Sequence, residues 1–213
     1  TKVSNRAIDS LLGGLTTELL EAFTSWTYTE DGHYFVGWNL PATTIVYDTS
    51  TQRWHIRSSR VSTGENTFDV LPFRGVFCVS AFGKLYCGDS IDGSIGEMSL
   101  TAFTEYGVEI QRVFSTQTYQ NNEMPFSVSE LELTLEAGVG SLTEDPTVGM
   151  QYSYDGGASY SDLQFRRIGL AGERRRRTIW RRLGNFDPHA TFRFVFTDPF
   201  KFVPIKLQAM VDA

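Results

Sequence analysis

The feature that most constrains the fold is an alternation of apolar and polar residues that begins near Trp26 and continues almost to the end of the chain. Successive side chains of a strand point to opposite faces, so an alternation of period two predicts strands with one buried face. The apolar runs are short and aromatic, and Asp, Gly and Pro separate them. The sequence therefore predicts an all-β protein, and 16 Phe among 213 residues supply large side chains for its core.

One short N-terminal helix is predicted within residues 3–25, before the alternation begins. Thr16 is a candidate N-cap for this helix, since its hydroxyl can accept a hydrogen bond from the first turn. The apolar positions that recur at helical spacing after it are Leu19, Leu20 and Phe23.

The strands divide the chain into two predicted regions. In residues 1–104, after the helix, they are short and form two meanders, with turns at Asp31-Gly32 and Phe82-Gly83. Because a four-stranded meander is one blade of a propeller, this region is predicted to contain β-propeller-like blades. In residues 105–213 the strands are longer and their leucines alternate with glutamates, which predicts an antiparallel β-sandwich-like region.

A turn signature of the form S-x-D-G-G-x-S-Y interrupts the second region. A short carboxylate can accept hydrogen bonds from its own turn, and two glycines can take positive φ between two strands. The pattern is similar to the Asp box of sialidase-like propellers, which shapes a turn away from the catalytic centre. We expect a structural, unreactive role for its residues, which are Ser153, Asp155, Gly156, Gly157, Ser159 and Tyr160.

Eight of the 19 basic side chains of the protein lie within residues 166–182. They are Arg166, Arg167, Arg174, Arg175, Arg176, Arg177, Arg181 and Arg182. If residues 174–177 continued a strand, its two faces would both carry charge. Two interpretations follow: an interface with acidic protein or phosphate, or a solvated hairpin whose arginine stems cover aromatic rings.

The net charge of −6 conceals an asymmetry along the chain. Residues 1–165 carry 21 acidic and 8 basic side chains, a balance of −13, whereas residues 166–213 carry 4 acidic and 11 basic ones, a balance of +7. Such a distribution favours assembly in which the basic end of one copy meets the acidic body of another. It argues against general nucleic-acid binding over most of the surface.

The remaining sequence signals concern cysteines and targeting. Cys78 and Cys87 lie on the two arms of an apparent hairpin, and the sequence leaves open whether they face each other, although free core thiols are the commoner outcome. No stretch approaches the roughly 18 apolar residues of a membrane span. The residues after Lys2 lack the continuous apolar core of a signal peptide. Folding in the cytoplasm is expected, because it fits the interpretation of the two cysteines as free thiols.

Enzymatic machinery is not evident in the sequence. His33, His55 and His189 stand in unrelated segments, and the chain has no HEXXH, no CXXC and no glycine loop for phosphate. We therefore predict no catalytic residue, no metal site and no cofactor. The best enzyme alternative is a sialidase-like glycosidase, in which Tyr152 and Glu173 would have to act as the nucleophile pair.

A second alternative is a module that binds a receptor or a glycan. Trp26, Trp38 and Trp54 could then serve as stacking platforms. The alternation around them favours positions in the core of the blades.

Several segments, taken in their order, resemble the tail hub proteins of short-tailed bacteriophages, also known as packaged DNA stabilisation proteins. The similar segments are VSNRAID, DGHYFVGWNLPATTIVYDTSTQRWHIRSS, GKLYCGDSIDGSIGEM, the S-x-D-G-G-x-S-Y turn, RRIGLAGERRRRTIWRRLG and FTDP. Members of that family are longer, so the chain resembles their C-terminal part. It differs from the usual Asp box at Ser159 and Tyr160, where Thr and Trp are common, and both changes are conservative for a turn.

The resemblance implies a structural protein of the virion tail. It implies a homo-oligomeric ring, with six copies in the best-known case, that lies below the portal and its adaptor. Such a ring continues the DNA channel, retains the packaged genome until ejection, and carries a plug or tail needle and the tailspikes. The fold that it implies is a β-propeller with additional β domains.

Overall fold

The alternating segments form strands in the computed structural model, which describes residues 2–21, 23–65 and 67–212. Strands make up 54% of the structure and helices 6%, so the predicted all-β class is confirmed. The chain forms two compact units, Thr1–Val108 and Glu109–Ala213. Among the described residues, no helix combines the length and the apolar composition that a membrane crossing requires.

The helical segment contains two helices, where the sequence pattern predicts one. Helix α1 spans Arg6–Gly13 and begins after Asn5, whose side chain accepts a hydrogen bond from the Ile8 amide at 3.0 Å. Helix α2 spans Thr17–Glu21. Because the Asn5 cap satisfies an amide of the first turn, the segment before the predicted helix is itself helical.

The side chains that anchor this region also differ from the prediction. Thr16 does accept a hydrogen bond from the Leu19 amide at 3.4 Å, as expected of an N-cap. However, Leu19 is 39% exposed, and Phe23 lies beyond the helix and is 38% exposed. The side chain of Leu20 lies outside the described part. The buried contacts come from α1 instead, since Ile8 packs in a cluster with Leu40 and Ile45.

The first unit contains an antiparallel meander followed by a smaller sheet. The five strands of the meander pair in chain order and are β1 Thr24–Glu30, β2 His33–Asn39, β3 Thr44–Asp48, β4 Arg53–Gly64 and β5 Thr67–Pro72. The second sheet contains β6 Gly75–Ala81, β7 Lys84–Asp89 and β8 Ile95–Met98. Two short strands follow, β9 Thr104–Glu105 and β10 Val108–Glu109.

A core of Trp26, Tyr28, Val46 and Leu85 joins the meander to the second sheet. Trp26 lies opposite Gly37 in the β1–β2 register, and a Cβ on Gly37 would meet the indole at 2.2 Å. The absence of a side chain at position 37 therefore makes room for the indole.

The second unit is a sandwich of two sheets around one core. Its strands are β11 Arg112–Ser115, β12 Tyr119–Gln120, β13 Phe126–Leu135, β14 Thr147–Ser153, β15 Gln164–Arg167, β16 Thr178–Phe186, β17 His189–Phe196 and β18 Pro204–Asp212. One sheet has the order β11-β17-β14-β15, with β12 also paired to β17, and the other has the order β16-β13-β18.

The predicted alternation accounts for the core of this sandwich. Leu131, Leu133 and Leu135 of β13 are buried, and Phe194 and Phe196 of β17 are 0% and 1% exposed. These side chains belong to one cluster, which includes the fully buried Trp180 of β16. Since both sheets contribute to this cluster, their inner faces share a single apolar core.

Candidate functional site

The S-x-D-G-G-x-S-Y motif forms the turn that follows β14. The Asp155 carboxylate accepts hydrogen bonds from the hydroxyls of Ser153 and Ser159, at 2.7 and 2.6 Å, and from the Ser159 amide at 2.9 Å. Gly156 and Gly157 have φ of 73° and 99°, a region in which other residues are strained. The hydrogen bonds from Ser159 are the main reason why the pKa of Asp155 lies well below its usual range.

Tyr160, the last residue of the motif, packs against a side chain of the sandwich. The Arg193 guanidinium lies 3.8 Å from the centre of the Tyr160 ring and donates hydrogen bonds to the Gln151 side chain at 3.0 and 2.7 Å. The turn is thus held both by its own hydrogen bonds and by a cation-π contact with β17. Sequence spacing gave no indication of the Arg193 contact, because that arginine lies 33 residues after the tyrosine.

The eight arginines of residues 166–182 divide between strands and a loop. Arg166 and Arg167 end β15, and Arg181 and Arg182 lie on β16. Residues 171–177 form a turn-rich loop between these strands, so the interpretation of residues 174–177 as part of a strand is wrong. Gly172 has a φ of 90°, and the Glu173 carboxylate accepts a hydrogen bond from the Leu170 amide at 3.2 Å. These local contacts turn the chain before β16 begins.

Two of the arginines pair with glutamates on the outer face of β13. Arg177 donates two hydrogen bonds to the Glu132 carboxylate, at 2.8 and 2.5 Å, and Arg181 donates one to Glu130 at 2.9 Å. The Arg177 hydrogen bonds hold the pKa of Glu132 below its ordinary value. These pairs are intramolecular, and they leave these two guanidinium groups less available to a partner.

Two further arginines have weaker or backbone contacts. Arg166 donates to the Ile179 carbonyl at 2.9 Å and to the Phe165 carbonyl at 2.8 Å. Arg167 lies 3.8 Å from the Asp145 carboxylate, and its side chain is 68% exposed. The Asp145 carboxylate also accepts a hydrogen bond from the Gly169 amide at 2.8 Å, so it anchors the start of the loop.

The other four arginines are exposed, and their side chains have no hydrogen bond or ion pair within residues 2–21, 23–65 and 67–212. They are Arg174, Arg175, Arg176 and Arg182. Three of them are consecutive on the loop between β15 and β16. We name Arg174, Arg175 and Arg176 the arginine loop. An exposed run of guanidinium groups can bind carboxylates or phosphates through charge-assisted hydrogen bonds.

The tryptophans proposed as stacking platforms pack inside the first unit. Trp26 is 3% exposed and donates a hydrogen bond to the Asn39 side chain at 3.1 Å. Trp38 and Trp54 are half-buried, and their ring centres lie 5.5 Å apart beside the α1 cluster. Their faces are therefore occupied by other side chains of the same unit.

The residues required by a sialidase-like mechanism have other contacts. The Tyr152 ring packs edge-on against Phe186 and Tyr154, with ring centres 5.7 and 5.4 Å apart. The Glu173 carboxylate is bound to the backbone of its own loop. In the described part of the chain, no group of three or more His, Cys, Asp and Glu side chains is arranged to hold a metal ion.

Sequence profiles of known families match both units. The family described as bacteriophage P22 Gp10, beta-propeller, matches residues 1–103, and the family described as bacteriophage P22 Gp10, beta-sandwich, matches residues 111–212. The chain belongs to the bacteriophage P22 Gp10 family. It is a structural protein of a phage virion, and the predicted fold class, propeller-like blades followed by an antiparallel sandwich-like region, is confirmed.

Other comparisons add little to this assignment. No curated protein matches the chain in sequence. Similar solved structures include an exo-beta-1,3-galactanase from Phanerochaete chrysosporium, with 8% identity, a TM-score of 0.27, and coverage of 88% of this chain and 56% of the enzyme. An arabinoxylan arabinofuranohydrolase of glycoside hydrolase family 43 from Bacillus subtilis has 9% identity, a TM-score of 0.27, and coverage of 88% and 53%. The chain spans just over half the length of these structures, and likenesses this distant carry no argument about function.

Proposed function

We propose that copies of this chain form part of a ring-shaped tail hub. The ring, with six copies, continues the DNA channel below the portal and adaptor, retains the packaged genome, and anchors the plug or tail needle and the tailspikes. Its place is the virion tail, and it folds and assembles in the cytoplasm of the bacterial host. The assignment of the chain to a family of structural virion proteins supports this proposal.

The observation that carries the proposal is the exposed arginine loop, whose guanidinium groups have no partner among the described residues. Among the described residues, the three adjacent guanidinium groups of this loop bind no carboxylate. They are therefore suited to an intermolecular contact. We propose that it binds carboxylates of a neighbouring subunit or of the adaptor. The excess of acidic residues in residues 1–165 offers such carboxylates on every copy.

Carboxylates are the better partner for the arginine loop than the DNA that passes through the ring. Each arginine–phosphate contact adds affinity for the DNA backbone, and this affinity is independent of sequence. Tight contacts of this kind would slow ejection of the genome. The proposed contact with channel DNA is therefore transient and non-specific, and the acidic body of the chain faces the channel.

The proposed role is structural and includes no catalysis. It needs no cofactor and no metal. The packing of Tyr152 against Phe186, and the hydrogen bond between the Glu173 carboxylate and the loop backbone, support this proposal, since both groups serve the fold of the sandwich.

The arginine loop can be tested by replacing Arg174, Arg175 and Arg176 together with serine. Arg177 is kept, because its ion pair with Glu132 belongs to the fold. We expect the weight-average mass in solution, measured by light scattering at low ionic strength, to fall from that of an oligomer towards that of a monomer. The circular dichroism spectrum is expected to stay unchanged, because the three side chains are exposed.

A matched control removes the same charge from other exposed positions, in the variant R6S/R53S/K206S. This control is expected to assemble like the wild type. If the arginine-loop variant assembled like the wild type, or if the control lost assembly equally, the proposed interface would be wrong.

A further inference from the structure

Two free cysteines face each other across the β6–β7 hairpin of the first unit. Cys78 and Cys87 are directly opposite in the antiparallel register, and their Sγ atoms are 3.6 Å apart. Cys78 is half-buried and Cys87 is buried. The proposed function of the tail hub uses neither thiol.

Backbone pairing along both edges of β7 fixes this arrangement. The cysteine pair is followed by the pair Val79 and Tyr86, and the register continues without a shift to Ala81 and Lys84 at the turn. Strand β8 pairs with the other edge of β7 and places Gly96 opposite Cys87. The two thiols are therefore held together by the ladder, and their meeting needs no loop movement.

This spacing is close to what a covalent bond requires. Bonded sulfurs lie about 2.05 Å apart, so each Sγ has to move by less than about 1 Å, which a small rotation about χ1 can supply. Directly opposed residues of an antiparallel pair have Cα atoms about 4.5–5.5 Å apart, which is within the range that a disulfide bridges. Because the register keeps the two side chains opposite each other, ring closure costs little conformational entropy in the folded chain.

We propose that Cys78 and Cys87 are a reversible redox site, which closes to an intrachain disulfide by exchange with a low-molecular-weight disulfide. This inference is independent of the proposed tail-hub role. The closed form would link β6 covalently to β7 and stabilise the second sheet of the propeller region, once the protein leaves a reducing compartment.

The exchange has two balanced steps. The thiolate of the more accessible Cys78 attacks one sulfur of oxidised glutathione, forms a mixed disulfide and releases one glutathione thiolate. The Cys87 thiolate then attacks the Cys78 sulfur and releases the second glutathione. Two protein thiols are oxidised by two electrons, the single disulfide of glutathione is reduced, and the two protons end on two glutathione molecules.

The two thiols differ in pKa because they are hydrogen-bonded to each other, whereas their order in the exchange follows from accessibility, since Cys78 is half-buried and Cys87 is buried. The Cys78 thiol donates a hydrogen bond to Cys87, which lowers the pKa of Cys87 and raises that of Cys78. Burial raises the pKa of both thiols, and the positive charge of Arg57 lowers both pKa values by a smaller amount. Once the mixed disulfide has formed on Cys78, the Cys87 thiol no longer has this donor, and its position opposite Cys78 favours ring closure instead.

The test exposes the folded full chain to oxidised glutathione, stops the exchange with acid, and treats the denatured chain with a maleimide before mass spectrometry. We expect the loss of two hydrogen atoms, no maleimide adduct and no persistent glutathione adduct. In guanidinium chloride the second step has to close a flexible loop, so the glutathione adduct should accumulate and ring closure should be slower by about tenfold or more.

Three outcomes would overturn the proposal: two free thiols after exposure, a glutathione adduct that persists on the folded chain, or a disulfide between two chains. Equal closure rates in the folded and the denatured chain would also contradict it, since they would show no contribution from the hairpin.

Single variants separate the roles of the two thiols. Cys87→Ser should accumulate the glutathione adduct at Cys78, whereas Cys78→Ser should stay reduced because its remaining thiol is buried. Rapid modification of the folded Cys78→Ser variant at Cys87 would reverse the assigned order. The wild-type measurement decides the proposal even if a variant folds poorly.

Discussion

The Asp155 carboxylate illustrates how much of a site a few neighbouring residues can determine. Ser153 and Ser159, which lie two and four residues away, donate three hydrogen bonds to this carboxylate. Such contacts depend on local turn chemistry, so the sequence pattern was sufficient to predict a structural turn. The Arg193 contact with Tyr160 depends on the pairing of β14 with β17, which no local pattern contains.

The role of Asp155 leads to a prediction about acid stability. Because its pKa is lowered in the folded chain, its stabilising contribution is complete above the unfolded value of about 3.9 and is lost as the pH falls through the lower folded value. Asp155→Asn should therefore lower the Tm at neutral pH, and the difference from wild type should shrink as the pH is lowered below about 4. Thermal unfolding followed by circular dichroism over a pH series measures this difference.

Asp162→Asn is the matched control, because the exposed Asp162 carboxylate has no hydrogen bond among the described residues. This substitution should change the Tm little at any pH of the series. If the Tm difference between Asp155→Asn and wild type stayed constant across the pH series, the stabilisation by Asp155 would not depend on the charge of its carboxylate.

The buried ion pair of Arg74 and Asp89 should contribute more to stability than an exposed ion pair does. Their side chains are 10% and 0% exposed, and the Arg74 guanidinium also lies 4.0 Å from the Tyr106 ring centre. Asp89→Asn removes the charge partner and leaves a buried guanidinium, so we expect a loss of about 3 kcal/mol in the free energy of unfolding. Glu97→Gln breaks the exposed pair with Lys84 and should cost less than about 1 kcal/mol. Urea unfolding measures both values, and equal losses would contradict this account.

At the scale of elements, β13 connects the core of the sandwich to its charged surface. It pairs with β16 on one side and β18 on the other. Its leucines face the core, and its glutamates face outward, where Arg177 and Arg181 bind them. The same alternation therefore stabilises the sheet through apolar burial and places glutamates where two of the eight arginines form ion pairs with them.

Leucine substitutions test the contribution of apolar burial by this strand. Leu131→Ala, at a position with 0% exposure, should lower the free energy of unfolding by about 2–5 kcal/mol because it leaves a cavity between the sheets. Leu142 lies in the same unit and is 85% exposed, so Leu142→Ala should change it by less than about 0.5 kcal/mol. Chemical denaturation of the two variants under the same conditions provides the comparison, and a small effect at Leu131 would mean that the core can collapse around the deletion.

The elements that the sequence did not reveal share a physical cause. Strand β18 has mostly exposed side chains, and its pairing with β13 defines it as a strand more than any alternation of its own does. The sequence pattern allowed a strand through the arginine loop, whereas Gly172 and Glu173 turn the chain there. The pairing of Arg177 with Glu132 joins residues 45 positions apart, so only the register of the sheet could reveal it.

At the scale of the whole molecule, the asymmetry of charge is the main feature behind the proposed assembly. The basic balance of residues 166–213 is reduced locally where Arg177 and Arg181 meet glutamates, and the arginine loop keeps its charge exposed. An attraction between such a loop and acidic surface on another copy acts through solvent. It therefore weakens as ionic strength rises, whereas salt does not weaken contacts between apolar surfaces.

Assembly through charge pairing should weaken as salt is added. The screening length falls from about 10 Å at 0.1 M salt to about 3 Å at 1 M, so the weight-average mass of the full chain should decrease as sodium chloride is raised over this range. Light scattering at constant protein concentration measures the change, and the R6S/R53S/K206S variant should show the same dependence. The variant with serine at positions 174–176 should already have a low mass at low salt and should respond little to further salt. A mass that rises with salt would mean that apolar surface holds the copies together, because salt strengthens apolar association while it weakens charge pairing.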